Sequence, residues 1–191
     1  MPKLLLNYPI KPIWVTQGFG ALNPMYKEHG INIIGHNGVD FLADEHNIVR
    51  AAHDGVVTFC GEDGSGGLGV VIRTNEEKEY KDGTAFFKTI YWHLKKNTFF
   101  VKPGDQVKIG QMLAMADNTG LSTGTHLHFG LKPMTKGEFD WVWINYEQDN
   151  GYLGAIDPTP YWTGYYAYDV INITTAIREL LAKFGLFIKG I

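Results

Sequence analysis

Runs of β-branched, aromatic and aliphatic residues recur along the chain, each bounded by turn residues. They predict strands over 13–17, 56–60, 70–74, 86–94, 111–116 and 126–132. The separators are turn chemistry: Asp63-Gly64-Ser65-Gly66-Gly67, Lys81-Asp82-Gly83, Pro103-Gly104-Asp105 and Asn118-Thr119-Gly120. Many short strands at this spacing read as a mainly β fold, a compact antiparallel β-sandwich or barrel-like domain. No helical periodicity and no fixed-period repeat precedes residue 170. Near the end, Ile177, Leu180, Leu181 and Phe184 stand at i, i+3, i+4 and i+7, with Thr174-Thr175 as caps and Gly185 as a stop. They predict a short C-terminal helix whose apolar stripe packs back on the sheet; a tail that meets a partner or a membrane surface is the alternative. The expected division is a domain over 1–165 and a helical tail over 166–191.

Successive side chains of a strand point to opposite faces. In 126–132, Leu127, Phe129 and Leu131 share one face, and His126, His128 and Gly130 share the other. Around residue 40, Val39 and Phe41 oppose His36, Gly38 and Asp40. In 89–94, Ile90, Trp92 and Leu94 are assigned to the core, opposite Thr89, Tyr91 and His93. Three separate segments thus place imidazole or carboxylate opposite their apolar set.

Composition narrows the possibilities. A chain of 191 residues is about one domain. Lys plus Arg is 17 and Asp plus Glu is 20, a net charge of −3, so there is no excess of cations for general nucleic-acid binding. No apolar stretch is long enough for a transmembrane segment, and the N-terminus lacks the apolar run of a signal peptide. The single cysteine, Cys60, excludes an internal disulfide and reads as a small strand residue rather than a nucleophile. Ten aromatics fall in 139–168, either as a satellite core or as a wall of a cleft.

The seven histidines carry the candidate chemistry. His36 and Asp40, His93, and the His126/His128 doublet all sit on polar faces. A catalytic zinc takes three protein ligands from His and carboxylate and leaves one position open. His36, Asp40 and one member of the doublet fill three positions. The other member and His93 are left to move a proton or stabilise charge. No His-Glu-x-x-His segment is present, so histidine must serve as base. His29, His46 and His53 read as surface or locally bonded. The glycine-rich 61–69 stretch lacks Gly-Lys-[Ser/Thr] and is no phosphate loop; it reads as a flexible hairpin, and 18–34, longer than a simple turn needs, as a rim.

Five blocks make the chain recognisable: Gly35-His36-Asn37-Gly38-Val39-Asp40-Phe41, Ala51-Ala52-His53-Asp54-Gly55-Val56-Val57, Tyr91-Trp92-His93-Leu94, Val101-Lys102-Pro103-Gly104-Asp105-Gln106-Val107, and residues 118–129 ending in His126-Leu127-His128-Phe129. In this order, from about residue 14 to 133, they resemble the lysostaphin/LytM-type zinc metallopeptidases. The resemblance implies an antiparallel β fold, one Zn2+ per chain, and bacterial peptidoglycan peptide as substrate. It implies that His36, Asp40 and His128 are zinc ligands, that His93 and His126 are catalytic, and that Tyr91, Asn118, Thr119, Ser122 and Gly124 contact substrate. None of the five metal or catalytic positions is substituted, unlike the family's degenerate members, which act as activators or structural modules. A phosphocarrier domain of the sugar-transport system has related β architecture and two neighbouring histidines, but needs neither Asp40 nor the doublet. Polyglycine bridges, crosslinks and stem-peptide bonds are all served by such enzymes, with rim loops deciding among them. The expected setting is the cell wall, reached as a phage lysin, a virion component or a piece of an exported protein, and the expected state is a monomer.

Overall fold

The computed structural model describes residues 1–80, 83–144 and 150–166. The helix expected near 177–184 lies outside the described residues. Thirteen strands are present among them: β1 (Leu6–Tyr8), β2 (Val15–Gln17), β3 (Val39–Leu42), β4 (Ile48–Arg50), β5 (Gly55–Asp63), β6 (Gly67–Arg73), β7 (Lys78–Tyr80), β8 (Gly83–Trp92), β9 (Gln106–Val107), β10 (Met112–Met115), β11 (His126–Lys136), β12 (Trp141–Trp143) and β13 (Trp162–Tyr166). One short helix, α1 (Pro24–Glu28), precedes β3, capped by the Asn23 side chain on the Met25 N–H and opened by Pro24. Each of the six runs expected from the sequence contains a strand. The fold is mainly β and antiparallel.

The main sheet runs in the order β2-β3-β11-β8-β6-β5-β9, with β12 also pairing β11 and β7 also pairing β8. The ribbon β4–β10 and the parallel pair β1–β13 stand apart from it. Val49 of β4, Leu113 and Ala114 of β10, and Leu6 of β1 join Phe41, Tyr91, Phe129 and Leu131 of the main sheet in one buried cluster. The core therefore lies on one face of the main sheet, and burying each of its large side chains contributes roughly 1.5–3 kcal/mol. The opposite face is left for the cleft. From the aromatic-rich C-terminal stretch, Tyr161 and Trp162 join the core side: Trp162 stacks on Tyr8 at 4.7 Å between ring centroids and packs against Phe41 and Phe129. No helix of the described residues is long and apolar enough to cross a membrane.

β11 and β3 follow the alternation read from the sequence. Leu127, Phe129, Leu131 and Phe41 are fully buried in the core, while His126, His128, Gly130 and Asp40 line the cleft. β8 does the reverse of what was expected. Thr89 and Tyr91 face the core, fully buried, and Ile90 and Trp92 face the cleft. The cause is that β8 is central and carries large apolar or aromatic side chains on both faces. The Tyr91 ring packs edge-on against Phe129, and its hydroxyl oxygen is satisfied inside the core by the Ala52 N–H at 2.9 Å and the Thr89 hydroxyl at 3.2 Å. On the cleft side, the Trp92 indole lies over Gly69, where an added Cβ would fall inside the ring. A bulge in β5 between Val57 and Phe59 turns Phe59 into the cleft, edge-on to Trp92.

Candidate functional site

β3 and β11 are register partners, with His128 opposite Asp40. Directly paired residues share a face, so the His128 ring and the Asp40 carboxylate meet. His36 approaches from the loop before β3, held by two backbone hydrogen bonds: its N–H donates to the Ala21 carbonyl and its carbonyl accepts from the Gly20 N–H. Its Nδ1–H donates to the Gly18 carbonyl at 3.1 Å, which leaves Nε2 unprotonated and aimed inward. The His128 ring passes over Gly38, where a Cβ would stand 2.6 Å from Cε1 and 2.8 Å from Nε2. No residue with a side chain fits there without moving the imidazole.

These contacts bring three donor atoms to one point. His36 Nε2 and His128 Nδ1 are 3.0 Å apart, and Asp40 Oδ1 is 3.1 Å from the first and 3.0 Å from the second. All three residues are buried. Burial alone would raise the Asp40 carboxyl, but the contacts with the His128 and His36 imidazoles outweigh it and hold Asp40 well below the usual carboxylate range. Burial pushes His128 below the ordinary histidine range, with Asp40 pulling the other way. An ionised carboxylate and two imidazole nitrogens facing one another at this spacing share a need for positive charge between them. Three corners of a tetrahedron with bonds of about 2.1 Å are roughly 3.4 Å apart. The observed triangle is slightly tighter, so a small outward relaxation suits it to a divalent ion bound by N, N and O.

Two further imidazoles stand beside the triangle. His126 Nδ1–H donates to the Gly124 carbonyl at 2.8 Å, with the Ser122 Oγ at 3.1 Å, and its Nε2 lies 3.7 Å from Asp40 Oδ2. His93 Nδ1–H donates to the Thr119 carbonyl at 2.7 Å. The two rings are 4.5 Å apart between centroids. Both bonds anchor Nδ1 and turn Nε2 outward as an acceptor. Burial lowers the His93 pKa to about 4, the Thr119 carbonyl opposing and His126 adding to the shift, so this ring is neutral at pH 7. His93 follows β8 in sequence parity with the core-facing Tyr91, yet it reaches the cleft. Its φ of 63° is the reason: the left-handed turn after Trp92 swings the ring back across the sheet.

The cleft has a volume of about 870 Å³ and contains all five of these residues. Ser122 and Gly124 line it and touch His126 as well. Thr119 is not on the lining; it positions His93 through its carbonyl, while its hydroxyl donates to the Leu94 carbonyl and accepts from the Leu68 N–H. One residue expected to contact substrate is corrected: Tyr91 is fully buried in the core because its parity on β8 is opposite to the one assumed. Asn118 is exposed and, like Thr119, is not on the lining of the cleft. The 18–34 rim and the 61–69 hairpin both border it, with Met25, Tyr26 and Ile33 from the first and Asp63, Ser65 and Gly66 from the second. Of the remaining histidines, His29 and His46 are exposed, whereas His53, expected at the surface or bonded locally, is buried and bonds both the adjacent Asp54 carbonyl and the distant Thr89 hydroxyl. Cys60 is half-buried, and burial raises its thiol pKa.

Tyr26 was missed. It stands on α1, its ring parallel to His36 at 6.3 Å between centroids. Gln17 Nε2 donates to its hydroxyl oxygen at 2.8 Å, and burial, reinforced by the Asp40 charge, raises its pKa to about 12. It therefore keeps its proton as a donor at the cleft wall. A five-residue helix with no buried position has no periodicity to detect, and Asn23-Pro24 was the only local signal.

Comparison with known proteins adds an independent line. A family model described as peptidase family M23 matches residues 34–140, which include all four cleft imidazoles and the Asp40 carboxylate. The glycyl-glycine endopeptidase ALE-1 of Staphylococcus capitis is 38% identical over 103 residues, 52% of this chain and 25% of that protein. The peptidoglycan DD-endopeptidase ShyB of Vibrio cholerae is 36% identical over 127 residues, 64% of this chain and 26% of that protein. The chain thus spans about a quarter of the length of these curated relatives. The crystal structure of the lysostaphin catalytic domain from Staphylococcus simulans superposes with a TM-score of 0.57 at 28% identity, covering 78% of this chain and 90% of that one.

Proposed function

The chain belongs to peptidase family M23, and from that premise we propose that it is a zinc-dependent endopeptidase that hydrolyses peptide bonds of bacterial peptidoglycan. The observation that carries this reading is the tight triangle of His36, Asp40 and His128 with two anchored imidazoles on its open side. A complete set of five is what a working hydrolase needs and what a purely structural module has no reason to keep.

His36 through Nε2, Asp40 through Oδ1 and His128 through Nδ1 would hold the ion. Bound zinc supplies Lewis acidity that makes water a usable nucleophile near neutral pH and polarises a carbonyl. The chain's own residues do the rest. His126 presents Nε2 on the open side, oriented by Gly124 and Ser122, and accepts the proton of the attacking water. His93, neutral and held by Thr119, is the second acceptor. Whichever ring becomes charged then returns its proton to the leaving amine. Tyr26 keeps its O–H at neutral pH and donates to the oxyanion that develops at the scissile carbonyl. The rim segments on either side exclude water and orient the peptide.

Residues 1–165 are the proposed catalytic unit and 166–191 its tail, acting at the cell wall as a phage lysin, a virion component or part of an exported protein. The test is incubation of purified walls from several bacterial types with the zinc-loaded protein, with and without chelator, and mass spectrometry of released fragments. New amino termini that vanish with chelator support the reading. Intact walls in every arm would leave a non-catalytic binding module of this fold instead.

A further inference from the structure

Asp40 and His128 sit on paired strands, whereas His36 reaches the triangle from a loop. A loop has no ladder of hydrogen bonds to fix its side chains, so the direction of His36 Nε2 depends on what holds the ring from behind. Its Nδ1–H donates to the Gly18 carbonyl, and its backbone is bonded to Gly20 and Ala21. Residues 18–21 belong to no strand or helix themselves. Packed on them is a second loop from far along the chain. The Tyr152 ring lies against Phe19 with 4.6 Å between centroids, and its hydroxyl oxygen stands over Gly20, 3.6 Å from where a Cβ would be. The Gly151 carbonyl accepts from the Ile34 N–H at 2.9 Å, two residues before His36.

That second loop is built to be rigid. The Asn150 carboxamide oxygen accepts from the N–H groups of Tyr152 and Gly154, each at 3.0 Å, and its Nδ2 donates to the Ala155 carbonyl at 2.8 Å. Leu153 between them is left-handed, with φ of 53°, and its side chain lines the cleft. A leucine persists in that conformation only where its surroundings over-determine it, as the Asn150 bonds do here. Ala155 is buried, and the Ile156 N–H donates to the Leu131 carbonyl at 2.9 Å, which fastens the loop to β11, the strand of His128. Resting on the peptidase reading above, we propose that the 150–156 loop is a clamp on the metal site, with Tyr152 as a positioning residue for His36. Tyr152 fixes Phe19 and with it the Gly18 carbonyl that aims the imidazole, while Ile156 ties the same loop to the strand of the other imidazole ligand. This path runs through Phe19 and 150–156, outside the 34–140 stretch that matches the family.

The probe is zinc alone. Its Kd is measured by competition with a fluorescent chelator for the native protein, Y152A, Y152F and N150A, with urea unfolding in excess chelator alongside. Y152A is expected to weaken zinc binding about 10–100-fold, the usual effect of removing a ligand's outer support. N150A is expected to weaken it in the same direction. Y152F keeps the ring against Phe19 and is expected to bind zinc as the native protein does. A merely structural role would lower the unfolding midpoint and leave the Kd of the folded protein unchanged. N150A keeps the test open if Y152A fails to fold, which circular dichroism reports. Native zinc affinity in the folded variants overturns the clamp, and so does a Y152F as impaired as Y152A, because the ring would then not carry the effect. A native protein that takes up no zinc overturns the clamp and the peptidase reading together. Weakened zinc binding in the variants, with no hydrolysis of walls by the zinc-loaded native protein, upholds the clamp and overturns the peptidase reading alone.

Discussion

His126 Nε2 stands 3.7 Å from Asp40 Oδ2 while the other ring nitrogen is tied to the Gly124 carbonyl. The ring is therefore held beside the triangle of candidate ligands without belonging to it. This separates two kinds of loss. His126→Ala is expected to lower kcat/KM by about 10²–10⁴, the usual contribution of a general base, and to leave zinc stoichiometry at one per chain. His128→Ala is expected to lose both. Elemental analysis of the two purified variants, run beside a muropeptide assay, checks the assignment; zinc lost from the first and kept by the second would reverse it.

Tyr26 gives a prediction that leaves the metal ligands untouched. Tyr26→Phe keeps the ring against His36 and removes only the hydroxyl that Gln17 contacts. Loss of one preorganised donor to an oxyanion costs about 10²–10³ in kcat. Steady-state kinetics should show that loss in kcat with little change in KM. An effect confined to KM would make Tyr26 a binding residue only.

Gly38→Ala tests the close approach beneath the His128 ring. The new methyl carbon would stand 2.5 Å from the Phe129 carbonyl oxygen as well as against the imidazole. Overpacking of this kind costs about 1–3 kcal/mol. Displacing a ligand through its support lowers metal affinity about 10–100-fold. Competition with a fluorescent chelator measures the second effect and denaturant unfolding the first; unchanged zinc affinity would show that the ring can slide aside.

His53 ties stability to pH from outside the cleft. It is buried, its Nδ1–H donates to the Asp54 carbonyl at 2.8 Å, and Nε2 meets the Thr89 hydroxyl at 2.8 Å. Burial lowers its pKa to about 4, partly offset by Asp54. In the unfolded chain a histidine titrates near 6.5. Above that value neither state is protonated and the full stability is present. As pH falls from about 6.5 to about 4, the unfolded chain takes a proton that the folded one refuses, so stability is lost, by about 3 kcal/mol in total. Urea unfolding at pH 7.5 and 4.5, with chelator in both, should show the loss in the native protein and a smaller one in H53Q. Equal pH dependence in the two proteins would remove His53 from the account.

Legibility in the sequence followed the number of faces a strand buries. β11 alternates cleanly because its core face is all aliphatic and aromatic and its cleft face carries two histidines and a glycine, so Leu127, Phe129 and Leu131 identify the core on their own. β3 read as well for the same reason. β8 did not, because Ile90 and Trp92 floor the cleft while Thr89 and Tyr91 fill the core, and hydropathy ranks them the wrong way round. His93 entered the right set through a parity argument that the structure replaces with a left-handed turn. The blocks around His36, Asp40, His93, His126 and His128 carried the family resemblance, and the fold brings these residues together. Tyr26 on its five-residue helix left no pattern.

The central claim is a metal-dependent hydrolase built on His36, Asp40 and His128. It is tested most directly by titrating zinc into chelator-stripped native protein while following cleavage of purified crosslinked muropeptides. Activity should rise from zero with added zinc and saturate at one equivalent per chain. Cleavage that persists in the stripped protein, or one tightly bound zinc with no cleavage of any muropeptide, would contradict it.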